Sequence, residues 1–359
     1  MLWGNKLNTS PSRVLILGGA GWKNVGDDLI ACALKEWAGV DGATVKIVGG
    51  PFPHDNAEYG LKLAGDARSR ARLAWEILQA DYVLIGGGGL LDDRMPNFYR
   101  PFTRAAFLCR LLKTPYAFAG IGVGPIQNEE TKAAYRAAAE GAARVLVRDE
   151  MSRERLRASG VKRNIEVTPD PVLWGTTSPA ESSRRFDLAI NLRNWHTNEN
   201  PKVGYDGPSD TEITHSVAKA VNEVFDVSRK IALVSMSGQP GDNDAAVLAT
   251  LAPMLNAETE TFFDSTPAEV QTAISQASSV LAMRLHACLL GAKAGSKVLG
   301  LAYDPKVAQQ GTTVGFDAIQ LDGEFITTGA NRISQMLRSR EEVVRPALKP
   351  PLVPWRTSE

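Results

Sequence analysis

Cysteine is scarce in this chain. Cys32, Cys109 and Cys288 are odd in number and widely separated, with no C-x-x-C pair. That excludes a disulfide framework and a thiolate metal centre, and points to a reducing compartment. Histidine is nearly as rare, with four scattered residues, so metal-ligand spacing is missing as well and no metal or other cofactor is expected. No apolar run approaches the ~18 residues of a spanning helix, and the opening MLWGNKLNTSPSR lacks the apolar stretch of a secretory signal. Charge of one sign is not in excess either: 40 basic residues face 40 acidic ones. A general nucleic-acid binder would show a basic surplus, so any attraction for anions must be local. These absences leave a cytoplasmic protein as the expectation, with room for peripheral contact with a membrane-bound acceptor at the inner face of the membrane.

What is present is ordinary globular composition, 44% hydrophobic and 22% charged over 359 residues. That length exceeds what one hydrophobic core usually supports. Short β-type runs at 13–18, 44–49, 81–86, 115–120, 143–148 and 164–168 alternate with helical patterns at 25–38, 67–80, 99–112, 129–141 and 150–159. The rhythm breaks in the polar stretch TTSPAESSRR, 176–185, which reads as a linker. It resumes with strands at 186–193, 230–236, 259–263, 279–283, 297–303 and 318–321, and helices at 212–229, 243–255, 267–277, 285–294 and near 330–340. Apolar strands alternating with amphipathic helices give an α/β fold with parallel sheets. The expected organisation is an N-terminal Rossmann-like domain over 1–175, a C-terminal one over 176–345, and an extended proline-rich tail over 346–359. Two such domains facing a central cleft would place ligands at the carboxyl ends of their strands.

The residues after each strand are therefore the ones to inspect. GGAGWKNVGDDLI follows the first strand, with Asn24, Asp27 and Asp28 at a helix start. It matches neither G-x-G-x-x-G nor a P-loop; Asp27 suits helix capping, and Asp28 suits contact with a polar acceptor. GGGGLLDD follows the third strand, and glycines such as Gly87 and Gly88 either let a sugar or phosphate approach the backbone or serve close helix packing. Arg148 ends the fifth strand, while Arg153, Arg155 and Arg157 form a solvated helix face. In the second half Arg193 ends the strand FDLAINLR, and Arg284 and His286 bracket a strand-to-helix junction whose free N–H groups suit an anion. In Tyr303-Asp304-Pro305-Lys306, aspartate fits an N-cap and proline the first turn, which leaves Lys306 at a helix N-terminus where a cation is disfavoured unless an anion accompanies it. The string Asp242-Asn243-Asp244 opens a predicted helix and reads as capping.

Taken together, NVGDDLI, GGGGLLDD, GIGVGP, VRDEMS, TPDP and RLHACLLGAKAGSKVLGLAYDPK resemble the polysaccharide pyruvyltransferase family, in the family's order from Gly18 to Lys306. The resemblance implies a fold like the two-Rossmann (GT-B) glycosyltransferases and phosphoenolpyruvate (PEP) as donor and co-substrate. The product would be a pyruvate ketal on a sugar hydroxyl pair, made for a cell-surface or exopolysaccharide, with phosphate released. It further implies a PEP-binding set of Arg148, Arg284, His286 and Lys306, to which Arg193 and Tyr303 are added by position. Asn24, Asp28, Gly87 and Gly88 are the candidates on the acceptor side, the acceptor being a glycan or a lipid- or nucleotide-linked sugar. His286 and Arg284 would be catalytic, with Asp28 taking a proton from the sugar. Strand-end residues should contribute little to the core, so replacing Arg284 or His286 is expected to remove turnover and spare the fold. A nucleotide-sugar glycosyltransferase of the same architecture and a non-catalytic sugar-phosphate sensor stand as alternatives.

Overall fold

The computed structural model describes residues 10–50, 67–92, 99–126, 128–174, 184–196, 205–339 and 350–356. Expectations placed on the first nine residues, on the linker up to 183 and on the tail before 350 lie outside them. The chain separates into two compact units, Met1–Thr176 with Leu348–Glu359, and Thr177–Ala347.

The first unit runs β1 (Arg13–Leu17), α1 (Val25–Ala38), β2 (Thr44–Val48), α2 (Ala67–Gln79), β3 (Tyr82–Gly86), α3 (Arg100–Leu111), β4 (Tyr116–Ile121), α4 (Glu129–Gly141), β5 (Val145–Val147), α5 (Glu150–Ala158) and β6 (Glu166–Val167). All six strands are parallel, in the order β2-β1-β3-β4-β5-β6. β3 and β4 are buried along their whole length, as strands covered on both faces must be. One face carries a core shared by α2 (Leu73, Ile77), α3 (Phe102, Ala105, Ala106, Cys109) and α4 (Tyr135, Ala138, Ala139). α1 joins β1 to the strand on its other side, and a right-handed crossover therefore places it on the opposite face. The tail belongs to this unit. Trp37 Nε1 donates to Pro351 O (2.8 Å), Trp355 Nε1 donates to Asp41 Oδ2 (2.9 Å), and the Trp355 ring meets Tyr82 edge-on at 5.2 Å.

The second unit runs β7 (Phe186–Asn191), α6 (Asp210–Asn222), β8 (Lys230–Val234), β9 (Gly238–Gln239), β10 (Asp242–Asn243), α7 (Asp244–Leu251), β11 (Glu258–Phe262), α8 (Pro267–Ser275), β12 (Ala277–Ala282), α9 (Leu285–Lys293), β13 (Lys297–Ala302), α10 (Pro305–Val314), β14 (Asp317–Gln320) and α11 (Phe325–Arg338). Its parallel sheet has the order β11-β8-β7-β12-β13-β14, and β9 and β10 form a separate two-residue hairpin. This is the 3-2-1-4-5-6 order of dinucleotide-binding sheets, whereas the first unit has the 2-1-3-4-5 type with one strand added.

Some boundaries differ from the sequence reading for local reasons. α6 stops at Asn222, short of 229, because Asp226 turns the chain by accepting from Ser228 N and Oγ. α7 gives way to a 3₁₀ turn at Ala252–Met254, where Pro253 has no N–H to continue it. α11 begins at Phe325, ahead of 330, because Asp322 accepts from the N–H groups of Glu324 and Phe325. The buried thiols are inert: burial pushes Cys288 up to about 12, and Cys109 is raised by the same cause.

Candidate functional site

Strand order fixes where ligands are expected, at the carboxyl ends of the two strands from which the chain winds off in opposite directions. In the second unit those strands are β7 and β12. Arg193 follows the first and Arg284 the second. The sequence reading therefore names the side chains at the switch point, though not what holds them there. Asp242 and Asp244, read as capping residues, are the anchors, and only Asn243 between them caps α7. Arg193 Nε donates to Asp242 Oδ1 (2.9 Å) and Nη2 to Oδ2 (3.3 Å). Arg284 Nη2 donates to Asp242 Oδ1 (2.8 Å) and Asp244 Oδ1 (2.7 Å), and its Nε donates to both Asp244 oxygens at 3.2 Å. Asp244 is fully buried and also accepts from Asn191 Nδ2 and Met236 N, each at 3.0 Å. Burial disfavours the Arg284 cation, but the Asp244 and Asp242 carboxylates outweigh it and raise its pKa. Arg284 is thus part of a buried ion-pair network, and the expectation that it contributes little to the fold is corrected.

Arg193 Nη1 donates to the Tyr303 hydroxyl at 2.7 Å. The Tyr303 ring is bordered by the Arg193 guanidinium (4.9 Å to the centroid), the Lys306 ammonium (5.6 Å) and Trp195 (4.7 Å between centroids). Burial pushes the Tyr303 phenol up, yet the cations of Lys306, Arg193 and Arg284 pull it down further, leaving it below the ordinary tyrosine value. Asp304 caps α10 by accepting from Lys306 N (3.1 Å), Pro305 opens the helix, and Lys306 Nζ lies 3.8 Å from Asp304 Oδ2. The cation at a helix N-terminus is therefore where the sequence puts it. α9 begins just after Arg284, which stands at its N-cap position without a side-chain cap, and His286 stands half-buried in its first turn. The segment after β7 is tied down by Asp210, whose carboxylate accepts from Trp195 N and His196 N, both at 2.9 Å. Burial raises the Asp210 pKa against the pull of those two amides. This leaves Trp195, His196 and Tyr205 as an aromatic shelf beside Tyr303.

In the first unit the switch point lies between β1 and β3. Asn24 caps α1 by accepting from Gly26 N (3.1 Å) and Asp27 N (3.4 Å). Asp28 is buried, and its Oδ1 accepts from Gly21 N at 2.7 Å, so it fixes the glycine turn. Asp27 is the carboxylate set between the two glycine loops: a Cβ on Gly19 would lie 3.1 Å from it, and one on Gly88 2.4 Å. Gly87 has φ +82°, and its Cβ would meet Ile30 Cγ2 at 1.9 Å. Close packing of α1 thus already requires glycine at 87 and 88, whereas nothing stands within 4 Å of a Cβ on Gly89. Arg148 is buried and donates from Nη1 to Asp170 Oδ2 (3.2 Å), with Asp149 Oδ2 3.5 Å from its Nε. Its guanidinium lies flat on Gly122, where a Cβ would come within 2.8 Å. Arg148 belongs to this unit; Arg193, Arg284, His286, Tyr303 and Lys306 belong to the other.

The family model for polysaccharide pyruvyl transferase matches residues 24–305. The chain belongs to the polysaccharide pyruvyl transferase family. That match spans most of both units and stops one residue before Lys306. Among curated proteins none is significantly similar in sequence. Solved structures share the fold. UDP-GlcNAc 2-epimerase from Methanocaldococcus jannaschii aligns with TM-score 0.56 at 14% identity, over 93% of this chain and 95% of that one. The enzyme from Neisseria meningitidis aligns with TM-score 0.55 at 14% identity, again over 93% and 95%. The enzyme from Rickettsia bellii gives 0.55 at 11% identity, over 94% and 92%. At these identities the likeness establishes the GT-B-like α/β fold. For this pyruvyl transferase family member, sequence reasoning gives Asp27, Asp242 and Asp244 as capping residues and does not single out Asn191. Arginines at strand ends imply buried counter-charges, and the D-x-D string was the available signal. Among the described residues no group of histidine, cysteine and carboxylate side chains could hold a metal, and no helix is long and apolar enough to cross a membrane.

Proposed function

We propose that the protein transfers the pyruvyl group of PEP to two hydroxyls of a sugar as a ketal and releases phosphate, in the assembly of a cell-surface polysaccharide. The observation that carries this reading is the family match, joined to the cations gathered at the β7 and β12 ends. Asp242 and Asp244 consume most of the hydrogen-bonding capacity of Arg193 and Arg284. Among the described residues, Lys306 Nζ, Arg284 Nη1 and the first turn of α9 are left to face the donor's phosphate and carboxylate. Arg193 then positions Tyr303 and does not bind the ligand itself.

In the reaction the methylene carbon of PEP takes a proton, and the adjacent carbon bonds to one sugar oxygen. Phosphate leaves with the electron pair of its C–O bond, and the second sugar oxygen closes the ketal. Of the two hydroxyl protons, one replaces that given to the methylene carbon and the other departs with phosphate. His286 is proposed to deliver the first proton or to neutralise the phosphate. On the acceptor side we assign Asp27, in preference to Asp28, as the carboxylate that receives a hydroxyl proton, because Asp28 is buried under Gly21. The acceptor is a sugar on a lipid or nucleotide carrier; one structural neighbour holds UDP-GlcNAc.

The test is transfer of label to a panel of lipid- and nucleotide-linked sugars in the presence of a chelator. Label from the PEP carbon skeleton is expected to appear in the acceptor with release of an equal amount of phosphate. Label from nucleotide sugars only, or a requirement for added divalent metal, would overturn the reading.

A further inference from the structure

α2 and α3 lie side by side on one face of the first sheet, and both turn their buried residues to the same core. Because each returns the chain between parallel strands, the two helices run in the same direction. Their outward stripes have the same composition. On α2, Arg68 and Arg72 precede Trp75 and Leu78; on α3, Arg104 precedes Phe107 and Leu111. Spacings of three and four place each set on one side of its helix, opposite Leu73 and Ile77 in α2 and Ala105, Ala106 and Cys109 in α3. The four large apolar side chains are 59%, 51%, 61% and 64% exposed, for Trp75, Leu78, Phe107 and Leu111 in turn. A water-facing helix stripe seldom carries two large aromatics and two leucines on adjacent helices.

The charge beside them has one sign. Among the described residues Arg68, Arg72 and Arg104 form no ion pair, α3 contains no acidic residue, and the one acidic residue of α2, Glu76, is engaged by Lys46 at 3.0 Å. In a chain with no net charge this is a local concentration of cations around an apolar strip.

We infer that this face docks on a lipid bilayer carrying anionic headgroups, with Trp75, Leu78, Phe107 and Leu111 entering the interface and the arginines contacting the headgroups. Guanidinium together with aromatic and leucine side chains on a helix face is the composition of interfacial helices. A second copy of the same face would bring unpaired arginines against unpaired arginines, which disfavours self-association. Docking here uses the flank of α2 and α3. It requires nothing of the donor chemistry, so failure of vesicle binding would leave the PEP reading intact.

The experiment is flotation of the full chain with vesicles of phosphatidylcholine alone and with vesicles containing about a third phosphatidylglycerol. The expected result is partitioning onto the mixed vesicles only, weakening as salt is raised. Trp75→Ser with Phe107→Ser, and separately Arg68→Gln with Arg72→Gln and Arg104→Gln, should each weaken partitioning by about tenfold or more. Both variants should keep the wild-type melting temperature, since every altered side chain is exposed. Failure of the wild type to float, or equal partitioning of wild type and variants, would overturn the inference. So would sedimentation showing a wild-type dimer that the Trp75→Ser, Phe107→Ser variant dissolves.

Discussion

Arg284 and Lys306 look alike in the sequence, as cations near helix starts, but the structure gives them opposite energetic roles. Removing Arg284 leaves Asp244 buried and without its main counter-charge, a loss that typically costs about 3–5 kcal/mol. Arg284→Ala is therefore expected to lower the urea midpoint as well as abolish turnover, and Arg284→Ala with Asp244→Ala to be less destabilised than the sum of the single changes. Strict additivity in a double-mutant cycle would show that the pair is not coupled. Lys306 has the 3.8 Å approach to Asp304 and the Tyr303 ring at 5.6 Å, and it sits where the helix field opposes it. Lys306→Met should leave the unliganded melting temperature at or slightly above that of the wild type. PEP at ~100 times its dissociation constant should stabilise the wild type by ~2.7 kcal/mol and the variant hardly at all. Equal PEP-induced shifts in the two proteins would remove Lys306 from the donor site. The sequence made both cations visible, because each stands in a local strand-to-helix pattern. Asp242 and Asp244 were visible only as a helix opening, since their partners arrive from β7 and β12, some 40 residues or more away.

At the scale of elements, local pattern was enough to place α1 and α4 to the residue and most strands to within one or two. Strand burial and helix periodicity are properties of short windows, so they survive without tertiary information. The glycine loop after β3 was not decidable in that way. Its four glycines could serve a ligand or the protein, and Gly87 and Gly88 are occupied by α1 packing while Gly89 is open. That difference separates stability from recognition. Gly88→Ala, at φ +68° and facing Asp27, should lower the melting temperature whatever the ligand. Gly89→Ala should melt like the wild type, and a raised KM for the acceptor in that variant would mean that a sugar approaches the loop there. An unchanged KM would confine the loop to a packing role.

At the scale of the molecule, the two-part α/β plan was legible from the change of rhythm near 176, whereas strand order was not. β7 and β12 lie far apart along the chain, and only the assembled sheet makes them neighbours. The fate of the tail was equally hidden. Proline-rich sequence shows extension without naming a surface, and the surface proves to be the first unit, through Trp355 on Tyr82 and Asp41. Trp355→Ala is expected to remove about 3–5 kcal/mol from that unit. Calorimetry should then show a transition lowered by roughly 10 °C and assigned to the first unit, while the second unit's transition stays in place. A uniform fall of both would mean that the units unfold together.

The return of the tail also orders events in time. The second unit is inserted, in the sense of connectivity, between the body of the first and the segment that closes it. On the ribosome the first sheet is complete long before residues 350–356 emerge, so Trp37, Asp41 and Tyr82 wait without their cover while the whole second unit is translated. A released chain truncated after residue 340 should therefore show a protected second unit and a first unit that proteases still open, and the full chain should protect both.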